Sequence, residues 1–402
     1  MEEIKILNRP LYTDKIFRYA DKSLIKILTG QRRVGKSYIL KYIAQSLKEM
    51  HPDSNIVNIN LEDFAFAHIR DAATLNEEIS SRLVVGKKNY IFIDEVQEVA
   101  SFDKVLRSLI LDENNDVYVT GSNSTMLSAE IASRLAGRSV EIRVHPLAFK
   151  EFLRFNALPA NSETVLDYLQ YGGLPYLRNL PDRLNWSEYL DGIVNAIVYR
   201  DVVARHDIRN NDFLQRLILF LADNAGQIFS AKKISDYLKS QKTQVSVTGV
   251  QNYITYLSNA FIINRCSRWN IEGKRYFEVG EKYFYEDLGI RSVLTGFKPN
   301  DLSGVIENAV YNHLNVLGYN VKTGQLNKGG EIDFIAEKDS EIKYIQVATT
   351  IIEEKTGKRE FGNLENIKDN YEKIVVTLND RFPNTLNGIK CVTLLEFLTQ
   401  FE

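Results

Sequence analysis

The stretch that decides the fold is residues 30–37, which read Gly30-Gln31-Arg32-Arg33-Val34-Gly35-Lys36-Ser37. This run matches the pattern G-x-x-x-x-G-K-[ST] at every fixed position. Its two glycines let backbone N–H groups wrap around a phosphate, which side chains would obstruct. A short apolar stretch at residues 24–28 precedes the loop, and an amphipathic pattern at residues 36–47 follows it. The loop therefore joins a strand to a helix, and it predicts a phosphate-binding site in an α/β domain.

Side chains at the end of this loop have predicted roles in binding a nucleotide. Lys36 brings a cation to the β- and γ-phosphates, and Ser37 offers a hydroxyl to Mg²⁺. The helix that begins here adds its N-terminal dipole. We expect the nucleotide to contact the whole loop and the next residue, namely Gly30, Gln31, Arg32, Arg33, Val34, Gly35, Lys36, Ser37 and Tyr38.

Two carboxylates follow a second apolar stretch. Residues 90–93 are apolar, and Asp94 and Glu95 come directly after them. The end of a buried parallel strand would deliver Asp94 to the carboxyl edge of the sheet, where it can hold Mg²⁺ through water. Glu95 can then orient the attacking water or accept its proton. We predict that Asp94 with Ser37 holds the metal and that Glu95 is catalytic.

Polar residues also follow the stretch at residues 117–120, which continues Gly121-Ser122-Asn123-Ser124. A polar side chain at this edge would reach the γ-phosphate or the attacking water. Asn123 is the preferred candidate and Ser122 the second. An ordinary turn would have the same sequence, so that interpretation stays open.

Together these motifs resemble those of AAA+ and STAND-like ATPases, in which a strand lies between the P-loop strand and the acidic strand. Within that group the chain resembles a broad, archaeal-ATPase-like prokaryotic family. The resemblance rests on residues 29–37, 93–97, 120–124, 135–138, 145–147, 171–175 and 331–348. It implies ATP as the nucleotide, and no N-K-x-D element that would read guanine occurs in the chain.

Such ATPases often complete a neighbouring subunit's site with an arginine. Arg134 and Arg138 follow the 117–120 stretch, and Arg138 is the candidate for this arginine finger. Cations that stabilise the end of a helix are the alternative interpretation.

The composition is typical of a globular protein. Hydrophobic residues make up 44% of the 402 residues and charged residues 25%, which is unlike a disordered chain. A formal net charge of −2 gives no global attraction to nucleic acid or an anionic membrane. Cys266 and Cys391 are too few for a disulfide framework. With no signal-peptide pattern and no apolar run of about 18 residues, we expect a soluble, cytoplasmic protein without a membrane partner.

The chain is predicted to contain four domains. Residues 1–150 alternate apolar stretches (24–28, 55–60, 90–93, 117–120 and 140–144) with helical patterns, which predicts a RecA/AAA-like parallel sheet. Residues 151–208 are predicted to form a helical lid. The lid is interrupted at residues 171–175, Tyr-Gly-Gly-Leu-Pro, where we favour a turn between helices over a functional role.

Residues 209–298 are predicted to form a winged-helix-like domain. Helical patterns at 213–224, 231–239 and 248–258 precede strand patterns at 261–268 and 275–279. Residues 205–276 contain 11 Lys and Arg against five Asp and Glu. The cations named for phosphate contacts are Lys232, Lys233, Lys239, Lys242, Arg265, Arg268, Lys274 and Arg275. Binding of DNA or RNA and contact with a protein both stay open.

Residues 299–402 are predicted to form a separate αβββαβ domain. This order resembles the restriction-endonuclease-like PD-(D/E)xK core, and the resemblance implies a metal site at Glu307, Asp333 and Gln346. Ala348 stands where the family has its lysine, and strand alternation turns Lys343 to the opposite face. We therefore expect a degenerate site without nuclease activity, in a domain that binds nucleic acid or packs against the ATPase.

Three functional hypotheses follow. The first is a Mg²⁺-dependent ATP hydrolase that acts as a molecular switch or motor coupled to its C-terminal domains. The second is an ATP-gated protein that binds or processes nucleic acid. The third is a signalling scaffold that binds ATP without hydrolysing it. A protein partner or a homo-oligomer is compatible with each.

Overall fold

The computed structural model describes residues 6–123, 129–208, 210–240, 245–271, 280–298, 302–326, 330–349, 361–378 and 385–401. Two compact units make up the chain. The first is Met1–His145 with Asn259–Phe261, and the second is Pro146–Ser258 with Ile262–Glu402. The four predicted domains, with boundaries after residues 150, 208 and 298, stay a finer prediction.

A five-stranded sheet, parallel throughout, forms the centre of the first unit. Its strands are β1 (Ile25–Thr29), β2 (Asn55–Asn60), β3 (Asn89–Asp94), β4 (Asn115–Gly121) and β5 (Ser139–Arg143). Their order in the sheet is β2-β3-β4-β1-β5. This confirms the predicted parallel α/β fold, and β4 lies between the P-loop strand and the acidic strand.

Burial explains why these segments are strands. All residues of β1 and β4, and all of β3 except Asp94, are buried, as expected for parallel strands covered on both faces. The helices of this unit are α1 (Pro10–Phe17), α2 (Lys36–Met50), α3 (Ala72–Arg82), α4 (Phe102–Leu109) and α5 (Ala129–Leu135). In α2, Ile39, Ile43 and Leu47 are buried at intervals of four residues, so one face of the helix packs on the sheet. This helix extends three residues beyond its predicted end.

The second unit begins with helices. They are α6 (Phe149–Asn156), α7 (Ser162–Tyr171), a 3₁₀-helix (Pro175–Asn179), α8 (Arg183–Ala196), a π-helix (Ile197–Val203), α9 (Ala204–His206), α10 (Asn211–Asp223), α11 (Ala231–Ser240) and α12 (Val247–Asn259). The last three match the predicted helices within two residues. No helix in the described parts of the chain is both long and apolar enough to cross a membrane.

An eight-stranded mixed sheet completes the second unit. Its strands are β6 (Ile263–Asn270), β7 (Glu281–Tyr285), β8 (Asn320–Gln325), β9 (Glu331–Lys338), β10 (Glu341–Ala348), β11 (Glu372–Thr377), β12 (Thr385–Leu386) and β13 (Ile389–Thr393). They follow the order β12-β13-β11-β10-β9-β8-β6-β7. The accompanying helices are α13 (Leu288–Thr295), α14 (Ser303–Val316), α15 (residues 361–365) and α16 (Leu394–Gln400).

This sheet contains β12 and β13, which were not predicted, and it also differs from the prediction at the wing. The first predicted wing strand is β6, and it pairs with β7 along Ile263–Ser267 but with β8 along Arg268–Asn270. The wing is therefore not an isolated pair of strands, because β6 continues into the sheet of the C-terminal region. The second predicted wing strand, residues 275–279, lies outside the described residues.

The helix predicted over residues 360–370 ends earlier than expected. Residue 360 lies outside the described part, and the helix ends at residue 365. Beyond it, Asp369 accepts the Tyr344 hydroxyl at 2.6 Å and the Tyr371 N–H at 3.3 Å. A short acidic side chain that bonds nearby backbone favours a turn over continued helix.

The two glycines between α7 and the 3₁₀-helix are required by close packing. Gly172 has φ +71°, and a Cβ atom there would lie 2.4 Å from Asp287 Oδ1. A Cβ atom on Gly173 would lie 2.4 Å from the Leu147 carbonyl oxygen. Asp287 also accepts the Gly173 N–H at 2.8 Å and caps α13 by accepting the Ile290 N–H at 3.0 Å. The sequence break is thus a structural turn held by one buried carboxylate, whose pKa burial raises to about 6.

We predict that Asp287→Ala destabilises the protein by roughly 2–4 kcal/mol, because two buried N–H groups lose their acceptor. The measurement is the free energy of unfolding from urea titration. Asp191→Ala, at an exposed position of α8, serves as the control and should change it by less than about 0.5 kcal/mol. Equal stability of the two variants would contradict the assigned role of Asp287.

Candidate nucleotide-binding site

The Lys36 ammonium lies over the phosphate-binding loop. Its Nζ donates hydrogen bonds to the Gly30 carbonyl at 2.8 Å and the Gln31 carbonyl at 3.0 Å. Glu95 Oε1 is 3.9 Å from the same nitrogen. The side chain is only 4% exposed, so the charge is held at one point of the loop. That point is where the predicted β- and γ-phosphates would bind.

The loop glycines have conformations that other residues rarely adopt. Gly30 has φ +143°, and a Cβ atom there would lie 2.1 Å from the Val144 carbonyl oxygen. Gly35 has φ +97° and precedes the first residue of α2. Because Gly30 has no side chain, the chain that leaves β1 can pass close to the Val144 carbonyl, directly after β5. The positive φ of Gly35 allows the chain to turn into α2.

The remaining loop residues have different environments. Gln31 is fully buried, and its amide nitrogen and oxygen have no hydrogen-bond partner within the described structure. Arg32 Nη1 is 3.0 Å from Glu62 Oε1. Arg33 and Tyr38 are exposed, whereas Val34 is buried. The nucleotide contacts predicted for these residues stay predictions.

An arginine outside the loop, which the sequence did not indicate, supports its backbone. Arg9 is 3% exposed, and its Nη1 donates to the Val34 carbonyl at 2.8 Å. Its Nη2 donates to the His145 carbonyl at 3.0 Å. One planar guanidinium thus connects the loop to the chain that follows β5. These contacts join residues 25 and 136 positions apart, a separation that no local pattern encodes.

Thr120 joins the two acidic residues. Its hydroxyl donates to Asp94 Oδ1 and accepts the Glu95 N–H at 2.9 Å. Ile93 of β3 is paired with Val119 of β4, which places Thr120 beside Asp94. Glu95 itself has φ +56°, so the chain turns sharply at this residue. The sequence showed the strand that ends in Thr120, but not which strand it would pair with.

Burial and neighbouring groups shift the pKa values of Asp94 and Glu95 in opposite directions. Burial raises the pKa of Asp94, although hydrogen bonds with Ser37 and Thr120 oppose this shift. Burial would also raise the pKa of Glu95, but the Lys36 charge and hydrogen bonds from Gln97 and Ser122 outweigh it and leave that pKa lowered. Glu95 is therefore ionised at neutral pH.

Gln97 is a second residue that the sequence did not single out. Its Nε2 is 2.5 Å from Glu95 Oε2 and 3.4 Å from Ser122 Oγ. Ser122 and Asn123 are both fully buried after β4, and Ser124 lies outside the described residues. Gln97 and Ser122 thus both lie at the Glu95 carboxylate.

The two candidate arginines are not brought to the loop. Arg134 Nη1 is 3.4 Å from Asp103 Oδ1 on α4. Arg138 is exposed and precedes β5, whose first residue pairs with the first residue of β1. The phosphate loop follows the last residue of β1, so Arg138 lies at the opposite edge of the sheet. An arginine finger that acts on a neighbouring subunit stays a proposal.

Asp94 and Ser37 are a suitable pair for Mg²⁺. Both present oxygen atoms, and their side chains are already hydrogen-bonded to each other. Within the described residues, no group of three or more His, Cys, Asp or Glu side chains could hold a metal ion. A magnesium ion held by one or two protein oxygens and substrate phosphates is compatible with that finding.

The predicted nuclease-like residues also lie close together. Asp333 N is 3.4 Å from Gln346 Oε1, and Lys282 Nζ is 3.0 Å from both Glu307 Oε2 and Asp333 Oδ1. Lys282 was not anticipated from the sequence. Lys343 lies elsewhere, with its Nζ 2.7 Å from Glu372 Oε2.

Known proteins and domain families share sequence with this chain. Residues 22–153 match the AAA domain family, and residues 162–301 match a domain of unknown function. A Haemophilus influenzae protein described as uncharacterized is 35% identical over 401 residues, which is 98% of this chain and 99% of that protein. The chain belongs to the family of that protein. A Methanocaldococcus jannaschii protein, also described as uncharacterized, is 29% identical over 398 residues, or 94% of this chain and 86% of that protein.

A solved structure has a similar fold. The Walker-type ATPase of Pyrococcus abyssi has a TM-score of 0.50 and 17% identity, and the match covers 72% of this chain and 96% of that one. At that identity the likeness shows the fold alone. The AAA domain match and the complete phosphate-binding loop support a P-loop, AAA-like ATPase.

We predict that Arg9→Ala weakens ATP binding about tenfold, since loss of a buried donor to the Val34 carbonyl costs on the order of 1–3 kcal/mol. The measurement is titration calorimetry with Mg-ATP. Arg18→Ala, at an exposed position after α1, is the control and should bind normally. A folded Arg9→Ala protein with unchanged affinity would remove Arg9 from the site.

Proposed function

We propose that this family member hydrolyses ATP in a Mg²⁺-dependent reaction and acts as a molecular switch or motor coupled to its C-terminal region. The observation that carries the proposal is the convergence of Lys36, Asp94 and Glu95 at the carboxyl ends of β1 and β3. Parallel strands present their carboxyl ends at one edge of the sheet, where ligands of open α/β folds bind.

Each binding role follows from the chemistry of the side chain. Backbone N–H groups of the 30–37 loop surround the β-phosphate, and Lys36 replaces its carbonyl partners with phosphate oxygens. Ser37 and Asp94 supply oxygen ligands for Mg²⁺. When bound, that ion neutralises charge on the β- and γ-phosphate oxygens.

Hydrolysis requires a positioned water molecule. Glu95 is ionised and held by Gln97, so its carboxylate can orient the water and accept its proton. The water oxygen forms a bond to the γ-phosphorus, the bond from that phosphorus to the bridging β–γ oxygen breaks, and ADP and phosphate leave. Asn123, or Ser122 next to it, senses the γ-phosphate. In a homo-oligomer, Arg138 could act only on the site of a neighbouring subunit.

Coupling would begin at β4. Thr120, near the carboxyl end of β4, forms hydrogen bonds with the Asp94 carboxylate and the Glu95 N–H. Ser122, directly after β4, contacts Gln97. Loss of the γ-phosphate changes the partners of Lys36 and Glu95, so the hydrogen bonds at this strand end must rearrange. The proposed lid and C-terminal domains follow in the same chain.

ATP-gated binding of DNA or RNA is the alternative proposal. The exposed cations Lys232 and Lys233 on α11 favour it. However, α12, the third helix of the proposed winged helix, contains no Lys or Arg. Arg265 forms two hydrogen bonds with Glu281, and the proposed contacts Lys242, Lys274 and Arg275 lie outside the described residues. The described part of this region thus offers fewer exposed cations to phosphate than the sequence indicated, and contact with a protein stays the other proposal.

We predict that Lys36→Ala abolishes ATP binding, whereas Glu95→Gln retains it and loses at least about 100-fold in turnover. Binding is measured by calorimetry and turnover by phosphate release. The matched controls are Lys104→Ala and Glu98→Gln, both at exposed positions. Unchanged affinity in Lys36→Ala would refute the proposed site, and turnover insensitive to Glu95→Gln would favour the non-hydrolysing scaffold.

Nucleic acid added to the same assay distinguishes the remaining alternative. We expect DNA and RNA to leave the turnover unchanged. Stimulation that is lost in a Lys232→Ala/Lys233→Ala variant would instead support ATP-gated nucleic-acid binding.

A further inference from the structure

One lysine of the C-terminal sheet is surrounded by carboxylates. Lys282, on β7, has a side chain that is 2% exposed. Its Nζ is 2.7 Å from Glu331 Oε1, 3.0 Å from Glu307 Oε2 and 3.0 Å from Asp333 Oδ1. The ammonium has three protons to donate, and three carboxylate oxygens lie within reach of them. Its capacity for hydrogen bonds is therefore filled by charged acceptors.

This group, called the Lys282 cluster below, contains the acidic residues for which the sequence implied a metal site. Glu307 comes from α14, whereas Glu331 and Asp333 come from β9. Lys282 reaches them from β7, a strand that is separated from β9 by β8 and β6 in the sheet. Ala348, where a lysine was expected, is buried at the end of β10. The lysine of the cluster is thus on β7, and not on β10, where the resemblance would place it.

The geometry leaves no position for a divalent ion. Mg²⁺ and Ca²⁺ bind oxygen ligands at about 2.0–2.6 Å, so an ion shared by Glu307 and Asp333 would need the space that Nζ fills. Asp333 Oδ2 accepts the Val347 N–H at 2.9 Å, and Gln346 Oε1 faces Asp333 N at 3.4 Å. Gly226 also approaches this carboxylate closely, since a Cβ atom there would lie 2.7 Å from Glu307 Oε2. The residues as arranged do not fit a metal ion.

Electrostatics are consistent with a permanent ammonium. Burial would lower the pKa of Lys282, but Asp333, Glu307 and Glu331 raise it well above its ordinary value. The ammonium therefore offsets part of the negative charge of the three carboxylates.

We propose that Lys282 is the built-in cation of this cluster, and that its ammonium occupies the position of the divalent ion in the metal-dependent nucleases that the domain resembles. The Lys282 cluster is thus a metal-free ionic core of the C-terminal sheet, and the cluster does not hydrolyse phosphodiesters. Removal of the ammonium would leave three carboxylates facing the space that Nζ fills. Hard divalent cations bind that set of ligands.

The experiment measures divalent-cation binding and thermal unfolding of the full-length chain without nucleotide, using Mn²⁺ as the probe. The wild-type protein is expected to bind no Mn²⁺ at the Lys282 cluster, so Asp333→Asn leaves its Mn²⁺ stoichiometry unchanged. Lys282→Ala is expected to bind one additional Mn²⁺ per chain, counted by electron paramagnetic resonance. In EDTA this variant should unfold several degrees below wild type, and Mn²⁺ should restore most of that difference.

Two further variants make the result specific. Lys282→Ala/Asp333→Asn should lose the additional Mn²⁺ site. Lys343→Ala, which removes a lysine paired with Glu372 outside the cluster, should bind no more Mn²⁺ than wild type. If Lys282→Ala does not fold, the comparison of wild type with Asp333→Asn decides the question alone.

Three results would overturn the proposal. The first is a wild-type Mn²⁺ site that Asp333→Asn abolishes. The second is Mn²⁺-dependent cleavage of DNA or RNA that is present in wild type and lost in the same variant. The third is a folded Lys282→Ala protein that gains no Mn²⁺. None of these outcomes depends on ATP hydrolysis, so the proposal stands or falls separately from the ATPase.

Discussion

The hydroxyl of Thr120 donates to the Asp94 carboxylate and accepts the Glu95 N–H, and the geometry of the nucleotide site depends on these two bonds. They exist because β4 lies between β1 and β3. The intervening strand separates the phosphate loop from the acidic strand, so a polar side chain is needed to hold the acidic residues. Gln97 and Ser122 extend the same network around Glu95. The proposed hydrolysis of ATP thus depends on β4, although none of the residues within β4 is predicted to be catalytic.

Two of the buried lysines, Lys36 and Lys282, show how hydrogen-bond partners decide what a cation can do. Lys36 donates to two neutral carbonyl oxygens and has one carboxylate 3.9 Å away. A phosphate can compete with such partners, since a charged acceptor forms the stronger hydrogen bond. Lys282 has three carboxylates at 3.0 Å or less. The Lys282 ammonium is already paired with charged groups of the protein, so it stabilises the fold. The Lys36 ammonium has weaker partners and is suited to binding a ligand.

In the second unit, buried polar groups connect segments that are distant in sequence. Asp287 joins the Gly172–Gly173 turn to the start of α13, and Lys282 joins β7 to α14 and β9. Strand β6 changes partners along its length, from β7 to β8. The Lys282 contacts and the pairing of β6 with β8 tie the region matched by the domain of unknown function, residues 162–301, to the strands that follow it. The sheet is therefore continuous across the predicted boundary at residue 298.

The sequence by itself determined the features that depend on neighbouring residues. The loop at 30–37 has a fixed spacing of glycines, and the strands and helices have short periods, so the fold of the first unit and the position of this loop between β1 and α2 were predictable. Only the tertiary structure decided that Arg9 supports the loop, that Thr120 lies beside Asp94, and that Lys282 fills the acidic cluster. Each of these contacts joins residues more than 20 positions apart. Such contacts depend on strand order and sheet pairing, which no local period in a single sequence encodes.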